Sequence, residues 1–193
     1  MLIGVVAFMS LSGDDGTPSD DDARAAMLAA GCTFKSAPAK PYKDGQVHVV
    51  DGTKVSYPTF PPSGGPHYGS PAIWDFYSET VDPRYLVHNQ EHGGVVLWYG
   101  PDTPQSEIAE LRSFYESSTD AMIASPHQAL GKRVAITAWT GDPARYGSEA
   151  NYNGDGKAAV CPDFDEGAFE KFRDTYRGKG PEAIPASDNQ RGS

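Results

Sequence analysis

Two histidines that lie four positions apart are the residues of this chain best placed for chemistry. His88 and His92 stand on either side of residues 89–91, and a glycine pair follows them. Residues four apart lie on the same side of a helical turn, so both imidazoles can reach one ion. The glycine pair ends the turn, and the apolar run over residues 95–99 predicts a buried strand. We therefore expect both histidines on a short helical turn packed against the core.

A third histidine, His67, lies upstream in a loop rich in proline and glycine, residues 58–71. A long loop without regular structure inside a compact domain is usually functional. Imidazole binds copper, zinc, nickel and iron, so the three histidines together predict a metal site. The alternative is that His88 and His92 only cap the turn and hydrogen-bond to the loop.

Met122 and His127, which lie further along the chain, are the candidates for a fourth ligand. A thioether ligand favours Cu(I), so copper is the expected ion and zinc the alternative. The other interpretation of these two residues is a core thioether and a solvated loop imidazole. Glu91 and Asn89 each lie about 100° around the turn from the neighbouring histidine. We expect them to orient the ligands by hydrogen bonds rather than to bind the ion.

The block from His88 to His92 also reads H-x-x-E-H, the signature of one class of zinc peptidases. In such enzymes the two histidines bind zinc and the glutamate activates a water molecule. That motif requires a long helix, whereas a glycine pair and a strand follow directly here. We therefore expect ion binding rather than catalysis. A zinc-dependent hydrolase that uses Glu91, or a metal-free surface interaction domain, stays open as an alternative.

The rest of the chain predicts an α+β domain that positions these residues. The pair Asp51-Gly52 between two strand-like segments indicates a β-hairpin over residues 46–57. His48 alternates with apolar residues in this segment; we interpret it as a solvent-facing strand residue, with a ligand role as the alternative. Further strands are expected at 95–99, 120–125 and 133–140, and helices at 22–30, 106–117 and 165–176. The pattern favours a small, mainly antiparallel sheet with helices packed on one face and long Pro/Gly-rich loops.

The length of 193 residues fits one domain with tails. We expect a truncated signal or anchor remnant and an acidic linker over residues 1–30, a globular domain over 31–182 and a flexible tail over 183–193. The apolar residues 1–11 fall short of the ~20 residues that span a bilayer and lack a basic start. We interpret them as the end of a signal or membrane-anchor helix, with an ordinary N-terminal strand or helix as the alternative.

The net charge of −10 argues against a nucleic-acid partner, because binding to phosphates needs clustered Lys and Arg. The chain has two cysteines, Cys32 and Cys161, and neither lies in a C-x-x-C pair. Zinc-ribbon and redox motifs are therefore absent. If the protein is exported, we expect Cys32 and Cys161 to form a disulfide. A disulfide that closes so long a loop stabilises the fold by roughly 4–5 kcal/mol. Two unrelated reduced thiols are the alternative.

Four pieces of the sequence carry a family resemblance. They are Pro66-His67-Tyr68, His88-Asn89-Gln90-Glu91-His92-Gly93, Ala138-Trp139 and Arg177-Gly178-Lys179-Gly180-Pro181-Glu182. Together they resemble a bacterial family known as domain of unknown function 3105, over roughly residues 31–182. Gln90 stands where the family pattern leads us to expect Leu.

The resemblance implies an exported or membrane-anchored protein and no established activity. The expected function is thus an extracytoplasmic metal-binding domain, with copper as the preferred ion and its protein partner left open.

Overall fold

The structure, a computed structural model, describes residues 18–41, 43–145, 154–182 and 184–193. The predicted signal or anchor remnant at residues 1–11 lies outside the described residues. The described residues form four α-helices and five β-strands. The helices are α1 (Asp20–Ala29), α2 (Pro83–Glu91), α3 (Gln105–Ser117) and α4 (Glu166–Tyr176). The strands are β1 (Thr33–Pro38), β2 (Val95–Tyr99), β3 (Met122–Pro126), β4 (Val134–Thr140) and β5 (Asp155–Cys161).

The five strands form one sheet in the order β1-β5-β4-β2-β3. Neighbouring strands run antiparallel except β2 and β3, which are parallel and are joined through α3. This confirms the prediction of an α+β fold with a mainly antiparallel sheet. The strands β1 and β5 were not expected from the sequence. Proline ends β1, and β5 is rich in Gly, Lys and Ala, residues that are depleted in strands.

Both faces of the sheet are covered. Val95, Leu97 and Tyr99 of β2 pack with the apolar side chains of α1, α3 and α4. The alternate residues Val96 and Trp98 pack with α2 and the loop segment before it. The prediction that the helices share one face is therefore wrong for α2. The reason lies in β2 itself, whose residues are all buried, so that its apolar run needs a layer on each side.

The predicted hairpin over residues 46–57 does not form. Asp51-Gly52 makes a turn, with Gly52 at φ +78°, but its two flanks, both within the described residues, do not pair with each other. Instead the Val49 N–H donates to the His67 carbonyl (2.8 Å), and the His67 N–H donates to the Val47 carbonyl (3.0 Å). A local turn signal fixes the turn but not the partner of the extended segment, and this pairing brings His48 beside His67.

Both ends of the described chain are attached to the core. Ala23 and Met27 of α1, a helix that falls within the predicted linker region, are fully buried. Residues 184–193, the described part of the flexible tail predicted over 183–193, hydrogen-bond to the segment before β3 and to the loop at Trp74. The Ala121 N–H donates to the Asn189 carbonyl (2.7 Å), and the Gly192 N–H donates to the Trp74 carbonyl (2.8 Å).

Cys32 and Cys161 form the predicted disulfide, which links the segment after α1 to the end of β5. Disulfides persist in oxidising compartments, in agreement with the expected extracytoplasmic location. Among the residues that the structure describes, none of the helices has the length and apolar character needed to cross a bilayer.

Candidate metal centre

The last turn of α2 carries the block of histidines and glutamate, and both ends of this helix are well defined. The Asp82 side chain caps the N-terminus by accepting from the Arg84 N–H (3.0 Å), and Pro83 occupies the first turn. Leu86 and Val87 are fully buried and fix the rotation of the helix. The helix ends as predicted, with Gly93 at φ +84°, a conformation that favours glycine.

Two side chains of α2 hold the loop that bears His67. The Asn89 side chain accepts from the Ala72 N–H (3.0 Å) and donates to the Ala72 carbonyl (2.9 Å). The Gln90 amide donates to the Pro62 carbonyl (3.1 Å). These bonds attach the loop to the helix on both sides of His67, so Asn89 acts on the site through the loop.

Trp139 of β4 forms the floor beneath the same loop. A Cβ on Gly64 would lie 3.1 Å from the Trp139 ring, a tight contact, and the φ of +146° at this position also favours glycine. The His67 ring lies 5.9 Å from the same indole, centre to centre. The Tyr57 hydroxyl donates to the Pro66 carbonyl (2.6 Å), and burial raises the pKa of this phenol. The loop is thus supported from below and from the side.

Four side chains from three segments of the chain converge at the end of α2. His48, His67, His88 and Glu91 each bring one ligand atom within 4.8 Å of the others, and we call this group the first site. Three of the side chains are buried, whereas the His48 side chain is 51% exposed. The His48 ring stacks on the His88 ring, with centroids 5.4 Å apart and planes within 10°. The first site is therefore closed by protein and reached by solvent past His48.

Backbone carbonyls fix the orientation of two of these imidazoles. Nδ1 of His67 donates to the Gly65 carbonyl (2.8 Å), and Nδ1 of His88 donates to the Tyr68 carbonyl (2.7 Å). A carbonyl oxygen can only accept, so each Nδ1 carries a hydrogen and each Nε2 is the atom turned towards the group. Histidines that bind metals are held in this way by hydrogen bonds from their other nitrogen.

Glu91 points into the first site. Its Oε2 lies 3.0 Å from Nε2 of His67 and 3.9 Å from Nε2 of His48. Burial raises the pKa of this carboxyl, but the hydrogen bond to His67 and the charges of His67, His88 and His48 outweigh it, so the net pKa is lowered. From the sequence, Glu91 was expected to orient the ligands by hydrogen bonds rather than to bind the ion. The offset of ~100° that separates it from His92 turns it towards the loop histidine.

A second group shares Glu91. Ligand atoms of Glu91, His92 and Glu182 lie within 4.8 Å of one another, and we call this group the second site. Nε2 of His92 lies 2.8 Å from Oε2 of Glu182 and 3.0 Å from Nε2 of His88. The structure thus brings His67 and His88 into the first site and His92 into the adjoining one.

Burial shapes the titration of the two helix histidines. It lowers the pKa of His88 to about 4, against a smaller opposing effect of the Tyr68 carbonyl. Burial also lowers the pKa of His92, although Glu182 and Glu91 act in the opposite direction. The lowered pKa values favour the neutral form of both rings, which is the form that binds metals.

Met122 and His127 do not belong to either group within the described part of the chain. Met122 is fully buried among the helices on the face of the sheet opposite α2. His127 contacts the rings of Phe60 and Trp98, at 5.1 and 5.6 Å between centroids, and its Nδ1 accepts from the Ala129 N–H. Neither site therefore has the thioether ligand that would favour Cu(I).

Three residues of these groups were not among the ligands preferred from the sequence: Glu91, Glu182 and His48, for which a ligand role was only the alternative. His48 reaches the site through its bridge with His67, and a single isolated bridge leaves no periodic pattern in the sequence. Glu182 is placed by the glycine-rich segment before it. The Gly178 N–H donates to the Gly93 carbonyl (2.8 Å), and the Glu182 N–H donates to the Glu91 carbonyl (3.1 Å). The four sequence pieces that carried the resemblance thus meet at this centre.

Fold and site together define a small α+β protein with a centre of histidines and carboxylates at the C-terminal end of one helix. The family model described as "Protein of unknown function (DUF3105)" matches residues 48–189, and the chain belongs to this family. The matched region includes every residue of both sites. No curated protein and no solved structure matches this chain.

Proposed function

We propose that this protein is an extracytoplasmic metal-binding domain that holds one ion in the first site through His48, His67, His88 and Glu91. The observation that carries the proposal is the convergence of these four ligand atoms within 4.8 Å. The carbonyls that hold His67 and His88 by Nδ1 support it, because they present two Nε2 atoms in fixed positions.

The donor set favours a divalent ion. Three imidazole nitrogens and one carboxylate oxygen suit zinc in a tetrahedral site, and imidazole also suits copper(II). Divalent copper binds such sites more tightly than zinc in the Irving–Williams order. We therefore propose copper(II) as the ion bound most tightly in vitro. Zinc is the alternative where it is the more available ion.

Ion handling fits the first site better than hydrolysis. A zinc peptidase of the H-x-x-E-H type needs its glutamate free to activate water, whereas the Glu91 carboxylate contacts His67 and lies among the ligand atoms. The helix that carries the block is also short, with nine residues. Turnover of a peptide or ester that is lost in Glu91→Gln while the ion stays bound would support the hydrolase instead.

The test is titration of metal-free protein made without a histidine tag. We expect calorimetry to give tight binding of Cu(II) and weaker binding of Zn²⁺. His48→Ala and His88→Asn should each weaken the first binding event at least 10–100-fold, the loss typical of disturbing a metal site.

His127→Asn is the matched control, since it removes an imidazole outside both sites and leaves an oxygen that can cap the same turn. Binding unchanged in His48→Ala and His88→Asn, or weakened equally in His127→Asn, would refute the first site.

A further inference from the structure

We infer that the domain binds a second metal ion through Glu91, His92 and Glu182, and that Glu91 bridges the two ions. This inference rests on the proposed function, because it takes the first site as occupied. It adds a site whose ligands the sequence did not group together. The result is a pair of adjacent ions at the end of α2.

The geometry of the second site is built by close backbone contacts. A Cβ on Gly180 would lie 2.3 Å from the Glu91 carbonyl oxygen, and a Cβ on Gly93 would lie 2.9 Å from Cα of Gly178. Only glycines allow the segment to approach the helix end so closely, and the approach places the Glu182 carboxylate on His92. The contact at 2.8 Å between Nε2 of His92 and Oε2 of Glu182 is thus positioned by the backbone.

The shared carboxylate makes the two sites compatible. Ions in two-metal sites lie about 3.5–4 Å apart, and mutual repulsion at that distance requires anionic ligands near both. Glu91 belongs to both groups and Glu182 adds a second carboxylate on the outer side. Nε2 of His88 and Nε2 of His92, which face different sites, lie 3.0 Å apart. That spacing fits two nitrogens bonded to one ion at about 2.0–2.1 Å, so a single ion shared by both rings is the competing arrangement that the test must exclude.

The number of protein ligands distinguishes the two ions. The first site has four and the second has three, which leaves positions at the second site for water or an exogenous anion. The second ion is therefore bound more weakly and exchanges more readily than the first.

The stoichiometry of wild-type protein and Glu182→Gln tests the inference. Metal analysis and calorimetry with Zn²⁺ and with Cu(II) should give two ions per wild-type chain and one per Glu182→Gln chain, with the tight event unchanged. His92→Asn should also reduce the count to one. Two Cu(II) ions that share Glu91 are magnetically coupled, so the paramagnetic resonance signal at two equivalents should fall well below twice the signal at one.

Each of the other outcomes contradicts either the second site or the proposed function. One ion in both wild type and Glu182→Gln overturns the second site and leaves the first intact. One ion whose affinity falls at least tenfold in His92→Asn also overturns it, because His88 and His92 then share a single ion. No ion in any variant overturns the proposed function together with the inference. Circular dichroism and thermal melts of each variant separate these results from misfolding.

Discussion

Nε2 of His67 lies 3.0 Å from Oε2 of Glu91, and both side chains are almost inaccessible to solvent. Nδ1 of His67 already donates to the Gly65 carbonyl. A contact at 3.0 Å between a ring nitrogen and a carboxylate oxygen requires a hydrogen between them. In the metal-free protein one proton is therefore shared by this pair, at the position proposed for the first ion.

Binding of the first ion should release this proton. At pH 7 we expect about one proton per ion, because the ion binds the deprotonated forms of both groups. Calorimetric titration with Zn²⁺ in two buffers of different ionisation enthalpy measures the release directly. Glu91→Gln should reduce it, because the amide supplies its own hydrogen to His67. Equal heats in both buffers for the wild type would contradict the shared proton.

The stability of the metal-free protein should fall as the pH decreases from 6.5 to 5. The pKa of His88 is about 4 in the folded protein and 6.5 in the unfolded chain. The unfolded state therefore binds more protons in this range, and the free energy of unfolding decreases with decreasing pH. After allowance for solvent at the site, the decrease amounts to about 1 kcal/mol. Urea unfolding in the presence of a chelator measures it.

The His88→Asn variant is the control for this pH dependence. Carboxyl groups titrate mainly below pH 5, so the slope between pH 6.5 and 5 isolates the histidines. A slope in His88→Asn equal to that of the wild type would show that another group is responsible.

Removal of the disulfide should destabilise the fold without removing the metal sites. The bond joins Cys32 to Cys161 over a sequence separation of 129 residues, and loss of a cross-link of this kind costs about 2–5 kcal/mol. Cys32→Ala/Cys161→Ala should unfold at lower urea concentration, and the wild type should match it after reduction. The metal affinity of the folded double variant should stay unchanged, since both cysteines lie in the core on the face of the sheet opposite α2.

Gly180→Ala should remove the second ion and retain the first. The added Cβ meets the Glu91 carbonyl oxygen at 2.3 Å and Gly93 N at 2.3 Å, so the segment must move away and carry Glu182 with it. We expect a loss of about 1–3 kcal/mol in stability, as for other overpacked contacts. Gly69→Ala is the control, because nothing lies within 4 Å of its Cβ position. Two ions retained in Gly180→Ala would contradict this placement of Glu182.

Local signals predicted the helix end that carries the site. Residues four apart, a glycine pair and an apolar run define His88, His92 and β2 without knowledge of the rest of the fold. The position of His48 depends on its pairing with His67 across the chain, and a turn signal at Asp51 pointed to a different partner. Tertiary packing decides contacts of this kind, and they produce no periodic pattern in the sequence from which they could be predicted.

Met122 shows the opposite problem, a residue with suitable chemistry on the unsuitable face. Its neighbour Ile123 packs on the side of α2, whereas Met122 packs with α1, α3 and α4. Side chains alternate along a strand, so the side that each takes depends on the register of β3 beside β2. The sequence suggested a strand here, but its register is set by the completed sheet.

The position of one bound ion decides whether the first site exists. Crystals of the protein with one equivalent of Zn²⁺, measured at the zinc absorption edge, should show one anomalous peak. That peak should lie about 2.0–2.1 Å from Nε2 of His48, His67 and His88 and about 2.0–2.2 Å from a Glu91 oxygen. A peak bound by other residues, or none at saturating zinc, would contradict the account.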